Sequence, residues 1–304
     1  MIHLIEFRAM GCQVSIQLEA DAAGGDILRH LPDRFASLEA LLTRFDPHSE
    51  LMRLNARDGE WVAVSEVLFA NICAAKQAAL MTDGLYNPLI LPALVASGYD
   101  CSFEQIAMPT AYAASSAADW HGIALRMTTQ EVLLPAGSAI DLGGIAKGWT
   151  AATIADELAP FGACLVNIGG DMVGRGAPHG LPGWQVEIED PFTGEAFTSV
   201  YLADQSISTS GTDYRRWQTA TGSDHHHIID PRSGHSAETD VLSATVIHPS
   251  ATTSEAYAKA IILQGVENGL QWLNQQWHGT GVVFRRDGAA FATSTFIHEW
   301  NPSQ

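Results

Sequence analysis

The 304-residue chain is short of positive charge: 16 Lys and Arg stand against 34 Asp and Glu, a formal net charge of -18 at pH 7. That balance repels a nucleic-acid backbone or an anionic membrane surface, so an anionic ligand needs a local cationic site built from Lys, Arg, a metal or helix ends. Cysteine is sparse. Cys12, Cys73, Cys101 and Cys164 show no CxxC spacing, and three of them lie among apolar or small residues, which argues for buried thiols and against a zinc site or a disulfide framework. No run of about 18 apolar residues occurs, so nothing reads as a transmembrane segment. The N-terminal MIHLIEFRAMGC is neither a basic segment followed by an apolar run nor a lipobox, so the expected location is cytoplasmic, or periplasmic if a leader has been removed. The common phosphate motifs are missing too. GGIAKGWT has Lys before Gly and is no P-loop, and its glycine spacing fails the G-x-G-x-x-G dinucleotide pattern. There is no internal repeat and no low-complexity tail.

What is present describes an ordinary globular protein, 46% hydrophobic and long enough to bury a sizeable core as one large domain or two packed lobes. HLIEFR and QVSIQLEA alternate apolar and polar residues and predict an antiparallel pair joined through Ala9-Met10-Gly11. Leu31, Phe35, Leu38, Leu42 and Phe45 have helical spacing, with Pro32 in the first turn, and a second helix is expected from Ser65 as N-cap to Met81, before Asp83-Gly84. Strands are expected at IALRM, WQVEI, SVYLA, LSATVI and GVVFRR, and helices at 252–264 and 266–276. The mixture indicates an α+β fold with antiparallel sheet. Residues 107–118, rich in Ala and Ser with one proline, read as a connection.

The stretch DLGGIAKGWTAATIADELAPFGACLVNIGG carries the most chemistry. Gly143, Gly144 and Gly148 allow close backbone approach to a ligand, Asp141 supplies a fixed negative charge, and Lys147 supplies a cation. A helix is expected after Gly148, with its N-terminal amides near the glycines where phosphate binds well, followed by CLVNI as a buried strand. A glycine-bearing strand-to-helix turn with a solvated Lys147 would look the same. Four other segments hold polar groups. LLTRFDPHSELMRLN places Arg44, Asp46, His48, Ser49 and Glu50 after an apolar helix, in a turn that also suits a simple helix cap. STSGTDYRRW is read as a small-residue turn from Ser208 to Gly211 followed by an aromatic and two arginines, suited to stacking and to an anion, or as a solvated loop. In DHHHIIDPRSG successive histidines point to opposite faces if extended, so only alternate ones share a target. HPSATTSEAYAKAIILQG opens a helix at a Ser/Thr cap and sets Glu255 and Lys259 at i and i+4, which on a surface is an ordinary ion pair.

Taken in order, FRAMGCQVSI, LTRFDPHSELMRLN, DGLYNPLILPALVASGY, DLGGIAKG, VNIGGD, STSGTDYRRW and HHIIDPRSG resemble the ApbE family of FAD:protein FMN transferases over nearly the whole chain. The resemblance implies a single ApbE-type domain over residues 1–304, a T-fold-like mixed α/β unit with antiparallel sheets and two closely packed lobes, the helical one spanning about 25–105, that binds FAD between the lobes. It implies an enzyme that uses Mg2+ to split the FAD pyrophosphate and passes FMN to a Thr or Ser hydroxyl of an acceptor protein, releasing AMP. Carried over residue by residue, it assigns FAD contacts to Met10, Phe45, Ser97, Gly98, Tyr99, Asp141, Lys147, His227 and Ile228, with His227 and Asp141 as the candidate catalytic residues.

The resemblance fails at the metal. The family's ion is held by a carbonyl matching Gly144, an Asp matching Glu255 and a Thr matching Lys259. Glu still offers a hard oxygen, one methylene farther out, but an ammonium has three donors and no lone pair. Two arrangements follow: Lys259 occupies the ion's place, paired with Glu255, or it turns away and Mg2+ stays with Glu255, Gly144, phosphate and water. Beside the transferase stands a second reading, an FAD-binding relative with lost or changed transfer, acting as flavin carrier or FAD pyrophosphatase. A third is an interaction domain with a vestigial pocket.

Overall fold

The computed structural model describes residues 1–106, 116–218 and 224–300, so most of the connection expected at 107–118 lies outside the described residues. The chain forms two compact units: Met1–Ala36 with Lys147–Gly211 and Thr239–Gln304, and Ser37–Ala146 with Thr212–Glu238. No helix among the described residues is long and apolar enough to cross a membrane.

The first unit is built on an eight-stranded sheet in the order Ile2–Ala9, Cys12–Glu19, Cys164–Ile168, Asp171–Arg175, Ser206–Gly211, Val241–His248, Thr280–Arg285 and Ala290–Ala292. Every neighbouring pair is antiparallel. Alternation is visible in the second strand, where Val14, Ile16 and Leu18 are fully buried. The first two strands pair Ala9 with Cys12 across a two-residue turn, and both turn residues have positive φ, Met10 at 52° and Gly11 at 70°. Left-handed φ at both central positions matches the right-handed twist of a hairpin, so the expected hairpin forms with Met10 at its tip. A separate pair, Trp184–Glu189 with Ala196–Leu202, buries Trp184, Val186 and Ile188 in a cluster that includes Leu165, Ile207, Ile247 and Phe284.

The helix Ala251–Gln264 packs against Ser206–Gly211 and Val241–His248 and is buried on nearly every side, which its four alanines and its short Ser254 side chain permit. Ser250 caps it, accepting from Thr253 N–H, and Ser254 Oγ meets the hydroxyls of Ser206 and Ser208 at 3.1 and 2.9 Å. This contact corrects the expectation of a turn at Ser208 to Gly211. Those small polar residues belong to a strand: the buried Ser208 finds a hydroxyl partner on the helix, and the exposed Thr209 meets Thr245 at 2.8 Å across the sheet.

His248, at the end of its strand, accepts from Ser250 N–H through Nδ1 at 2.9 Å, with Tyr257 and Trp277 edge-on to the ring. Burial, then the charge of His278, pushes its pKa down from the ordinary value. The folded state thus holds a neutral ring that the unfolded chain protonates near pH 6.5, so stability is complete above about that pH and falls as pH drops below it. Urea unfolding at pH 7.5 and 5.5 should show a smaller acid loss for His248→Gln than for the wild type; equal losses would remove His248 from the linkage.

The second unit is mainly helical: Glu50–Asn55, Glu66–Met81 and Leu91–Ala96, with a three-stranded sheet of Trp61–Ala63, Glu131–Leu133 and Ala124–Arg126. Ser49 and Ser65 cap the first two helices through their side chains, so the expected 66–81 helix begins and ends where its cap and stop residues place it. Asn55 bonds both backbone groups of Ile140, donating to its carbonyl at 2.9 Å and accepting from its N–H at 2.8 Å. That bridge pins the segment leading to Asp141. Helix Leu91–Ala96 ends in a Schellman motif, in which Gly98 at φ 88° donates to Val95 O and Tyr99 N–H reaches Leu94 O. Ser-Gly-Tyr is therefore a helix terminator that also delivers Tyr99 into a cluster with Leu94, Trp217 and Ile229.

Candidate active site

Within the second unit, Asp141 is the centre of a buried cluster. Its Oδ2 lies 3.0 Å from Arg44 Nε, with the two side chains 9% and 7% exposed, and its Oδ1 accepts from Gly143 N–H at 2.8 Å. Arg44 also donates to Tyr99 O at 2.7 Å, and its Cζ stands 4.3 Å from the ring centres of both Phe45 and Tyr99. A planar guanidinium is suited to such a place, since it stacks on aromatic faces while its edge binds carboxylate. Arg44 Nη2 is buried with no hydrogen-bond partner among the described residues. Tyr99 tilts against Trp217 at 5.5 Å, and Trp217 Nε1 donates to Ser97 O at 2.8 Å. Phe45 remains exposed, so the group offers an aromatic face beside a fixed carboxylate. It brings together Phe45, Ser97, Gly98, Tyr99 and Asp141, five of the residues expected from the sequence.

The three histidines divide clearly. His225 lies flat against Trp217 and is buried, and burial, with the charge of His235, lowers its pKa. His226 accepts from Ile228 N–H at Nδ1, so its Nε2 carries the proton that meets Ala237 O at 3.1 Å, and both ring nitrogens are used. His227 follows the strand, half-buried, beside the buried Ile228. The DPRSG segment after them is a turn: Asp230 O accepts from Gly234 N–H, and burial of the Asp230 carboxyl is outweighed by hydrogen bonds and charge from Arg232, which hold its pKa below the usual range. In the neighbouring hairpin Arg216 pairs with Asp224.

Within the first unit a second cluster forms around Lys147. Its ammonium pairs with Asp171 and stands 3.7 Å from Glu255 Oε1, and the two carboxylates are 3% and 1% exposed. Lys259 reaches the same Oε1 at 3.4 Å and the Glu255 carbonyl at 3.4 Å. Glu255 Oε2 accepts from Gly148 N–H at 3.0 Å. The helix here starts at Ala146, two residues earlier than the glycine suggested, so Lys147 and Gly148 lie in its first turn and the buried Glu255 carboxylate satisfies an N-terminal amide. Gly148 is required by close approach: a Cβ would come 2.9 Å from Ala251 O and 2.9 Å from Glu255 Oε2. Met10 lies at the tip of the hairpin between the first two strands.

The sequence names Arg44 only as one polar group of LLTRFDPHSELMRLN, and Asp171 only within VNIGGD, neither with a role. Asp171 follows the Gly169-Gly170 turn within VNIGGD, and Arg44 sits one residue before Phe45; an acid and a base flanking these motifs, in a chain with few cations, were the available signals. None of the four cysteines is in a disulfide, and only Cys164 is buried, the other three being half-buried; burial pushes the Cys164 thiol up to about 12, in line with an inert core residue.

The donors expected for Mg2+ do not suit that ion. Gly144 offers only a carbonyl in the turn before the helix, Glu255 is committed to an amide and two ammonium groups, and Lys259 has no lone pair to give. Among the described residues no three His, Cys, Asp or Glu side chains gather into a metal-binding group.

The chain's likeness to known proteins covers both units. It is 31% identical over 300 residues to an FAD:protein FMN transferase of Treponema pallidum, covering 90% of this chain and 81% of that protein. A Klebsiella pneumoniae FAD:protein FMN transferase is 31% identical over 253 residues, 78% of this chain and 75% of the relative. The fold superposes on the crystal structure of the Thermotoga maritima ApbE protein with a TM-score of 0.87 at 24% identity, covering 98% and 99% of the two chains. The Vibrio cholerae flavin transferase ApbE gives 0.82 at 22% identity, over 98% and 99%. The profile of the ApbE family matches residues 10–284, and the chain belongs to that family.

Proposed function

We propose that this protein is an FAD:protein FMN transferase, with both units acting as one functional domain over residues 1–304. The observation that carries the reading is the buried Asp141 carboxylate, fixed by Arg44 beside the Phe45 and Tyr99 rings, in a chain similar over most of its length to FAD:protein FMN transferases. Phe45, Tyr99, Met10 and Ile228 suit the flat rings of the dinucleotide, and the Ser97-Gly98-Tyr99 terminator sets the height of the aromatic wall. Asp141, paired with Arg44, offers carboxylate oxygens to hydrogen bonds from ribose or ring amino groups. Lys147 offsets phosphate charge.

In the transfer, the acceptor's Thr or Ser oxygen attacks the phosphorus of the FMN half. The new P–O bond forms as the pyrophosphate P–O bond breaks, AMP leaves with the bridging oxygen, and the hydroxyl proton passes to a base. Among the three histidines His227 is the one suited to that role: His226 has both nitrogens occupied and His225 is buried against Trp217. The acceptor is a protein with a Thr or Ser attachment motif.

Flavin fluorescence titration should show FAD binding at micromolar concentration and no comparable binding of NAD; absence of FAD binding at tens of micromolar sinks the proposal. Incubation with FAD and an acceptor carrying a flavinylation motif, read by intact mass, tests transfer directly. His227→Ala is expected to lower transfer while leaving FAD affinity within a few fold, and wild-type rates in this variant reassign the base. AMP release with an unmodified acceptor would favour an FAD pyrophosphatase instead.

A further inference from the structure

The chain has only three lysines, Lys76, Lys147 and Lys259, and two of them converge on one carboxylate oxygen. Glu255 is 1% exposed, with Lys147 Nζ 3.7 Å and Lys259 Nζ 3.4 Å from its Oε1. Lys147 is bound in turn to Asp171, so two cations and two buried acids stand together in the first unit at the start of the helix Ala146–Leu158. Their formal charges cancel without any ion.

We infer that the Lys259 ammonium takes the place of a divalent cation in this protein, and that its handling of the FAD diphosphate is metal-independent; the inference rests on the FAD reading above. Three features carry it. Lys259 is turned inward, bonded to the side chain and the carbonyl of Glu255, and is not solvated on the helix surface. Of its three donors, those two contacts use two, and a side chain that is 18% exposed leaves the third for a phosphate oxygen. Glu255 is one methylene longer than Asp, and the Glu-to-Lys i,i+4 order suits a closed pair on a helix. Adding Mg2+ beside Glu255 would set a dication against two ammonium groups and require Oε1 to abandon both. Lys147 and Lys259 instead supply charged N–H donors at fixed positions, the positioning service that a bridging ion gives to a diphosphate.

The test compares the wild-type protein in EDTA with the same protein in millimolar Mg2+. FAD affinity by fluorescence, and FMN transfer by intact mass of a threonine-bearing acceptor, are expected to agree within about twofold between the two buffers. Mn2+ titrated against the FAD complex and followed by EPR is expected to show no tightly bound ion. Lys259→Met should weaken FAD binding in EDTA by tenfold or more. The double variant Glu255→Asp with Lys259→Thr should acquire a dependence on Mg2+, because it restores a short hard-oxygen donor and removes the competing cation. The inference is overturned if wild-type transfer falls 100-fold in EDTA and returns with Mg2+, or if Mn2+ binds tightly to the wild-type complex; either result leaves the transferase reading standing. If FAD neither binds nor reacts in either buffer, the transferase reading fails and this inference fails with it. The chelator and Mn2+ measurements use only wild-type protein, so a variant that does not fold leaves the decision intact.

Discussion

Lys147→Met should lower FMN transfer by about 100-fold to 1000-fold, the scale for losing one preorganised charge partner of a reacting group. The same change should destabilise the protein by about 3–5 kcal/mol, because it leaves a buried charge without its counter-ion. The acid most affected is Asp171, 3% exposed and bound to Lys147; Glu255 keeps Lys259 and the Gly148 amide. Urea unfolding measures the stability, and transfer assayed at low temperature, where the variant is folded, measures the catalytic loss. The two effects separate in the double variant Lys147→Met with Asp171→Asn. Removing the orphaned carboxylate should recover much of the stability, while transfer stays low because Lys259 alone is left to face the phosphates. Full recovery of transfer in the double variant would show Lys147 to be only a counter-ion for Asp171. Lys147→Arg gives a third reading: charge is kept, but a planar fork replaces a compact ammonium between Asp171 and Glu255.

Features governed by local chemistry were legible in the chain. Ser65 and Ser250 announce helix starts through side chains that accept their own helix amides, and the Met10-Gly11 turn follows from two alternating segments with little between them. Ser97-Gly98-Tyr99 was legible as a motif, and the structure supplies its reason, a Schellman terminator. Features that depend on tertiary proximity were not legible. Gly148 looked like a helix boundary because glycine usually weakens helix interiors, yet it lies within the first turn where the carbonyl of Ala251 leaves no room for a Cβ. Ser208 to Gly211 looked like a turn until a helix brought Ser254 over them. The Glu255 and Lys259 spacing showed a pair, but not that its acid is buried, since a helix rich in alanine covered on nearly all sides has no polar face to display. Arg44 and Asp141 are far apart in the chain, and the Asn55 bridge to Ile140, the Asp141 N–H bond to Pro88 O and the end of helix Leu91–Ala96 help bring them together.

Arg44→Met is expected to cost about 3–5 kcal/mol, since Asp141 would stay buried with only the Gly143 amide to stabilise its charge. Stacking over Phe45 and Tyr99 adds roughly 0.5–2 kcal/mol of lost cation–π attraction, more where the cation is desolvated. Asp141→Ala should therefore not be a silent change to the fold: it strands a guanidinium that is 7% exposed on its side chain and already has one nitrogen without a partner among the described residues. The paired replacement Arg44→Met with Asp141→Asn removes both charges and should be more stable than the sum of its single variants by more than about 1 kcal/mol, within the range of coupling energies for residues in contact. Flavin titration of the double variant then isolates function from folding. If Asp141 receives hydrogen bonds from the ligand, FAD affinity stays at least tenfold below wild type although the fold is restored. Wild-type affinity in a stable double variant would make the pair a structural rivet under the aromatic wall, with Phe45 and Tyr99 carrying the binding. Arg44→Lys distinguishes the charge from the plane: an ammonium satisfies Asp141 but cannot lie flat against two rings, so it should recover more of the stability than of the affinity.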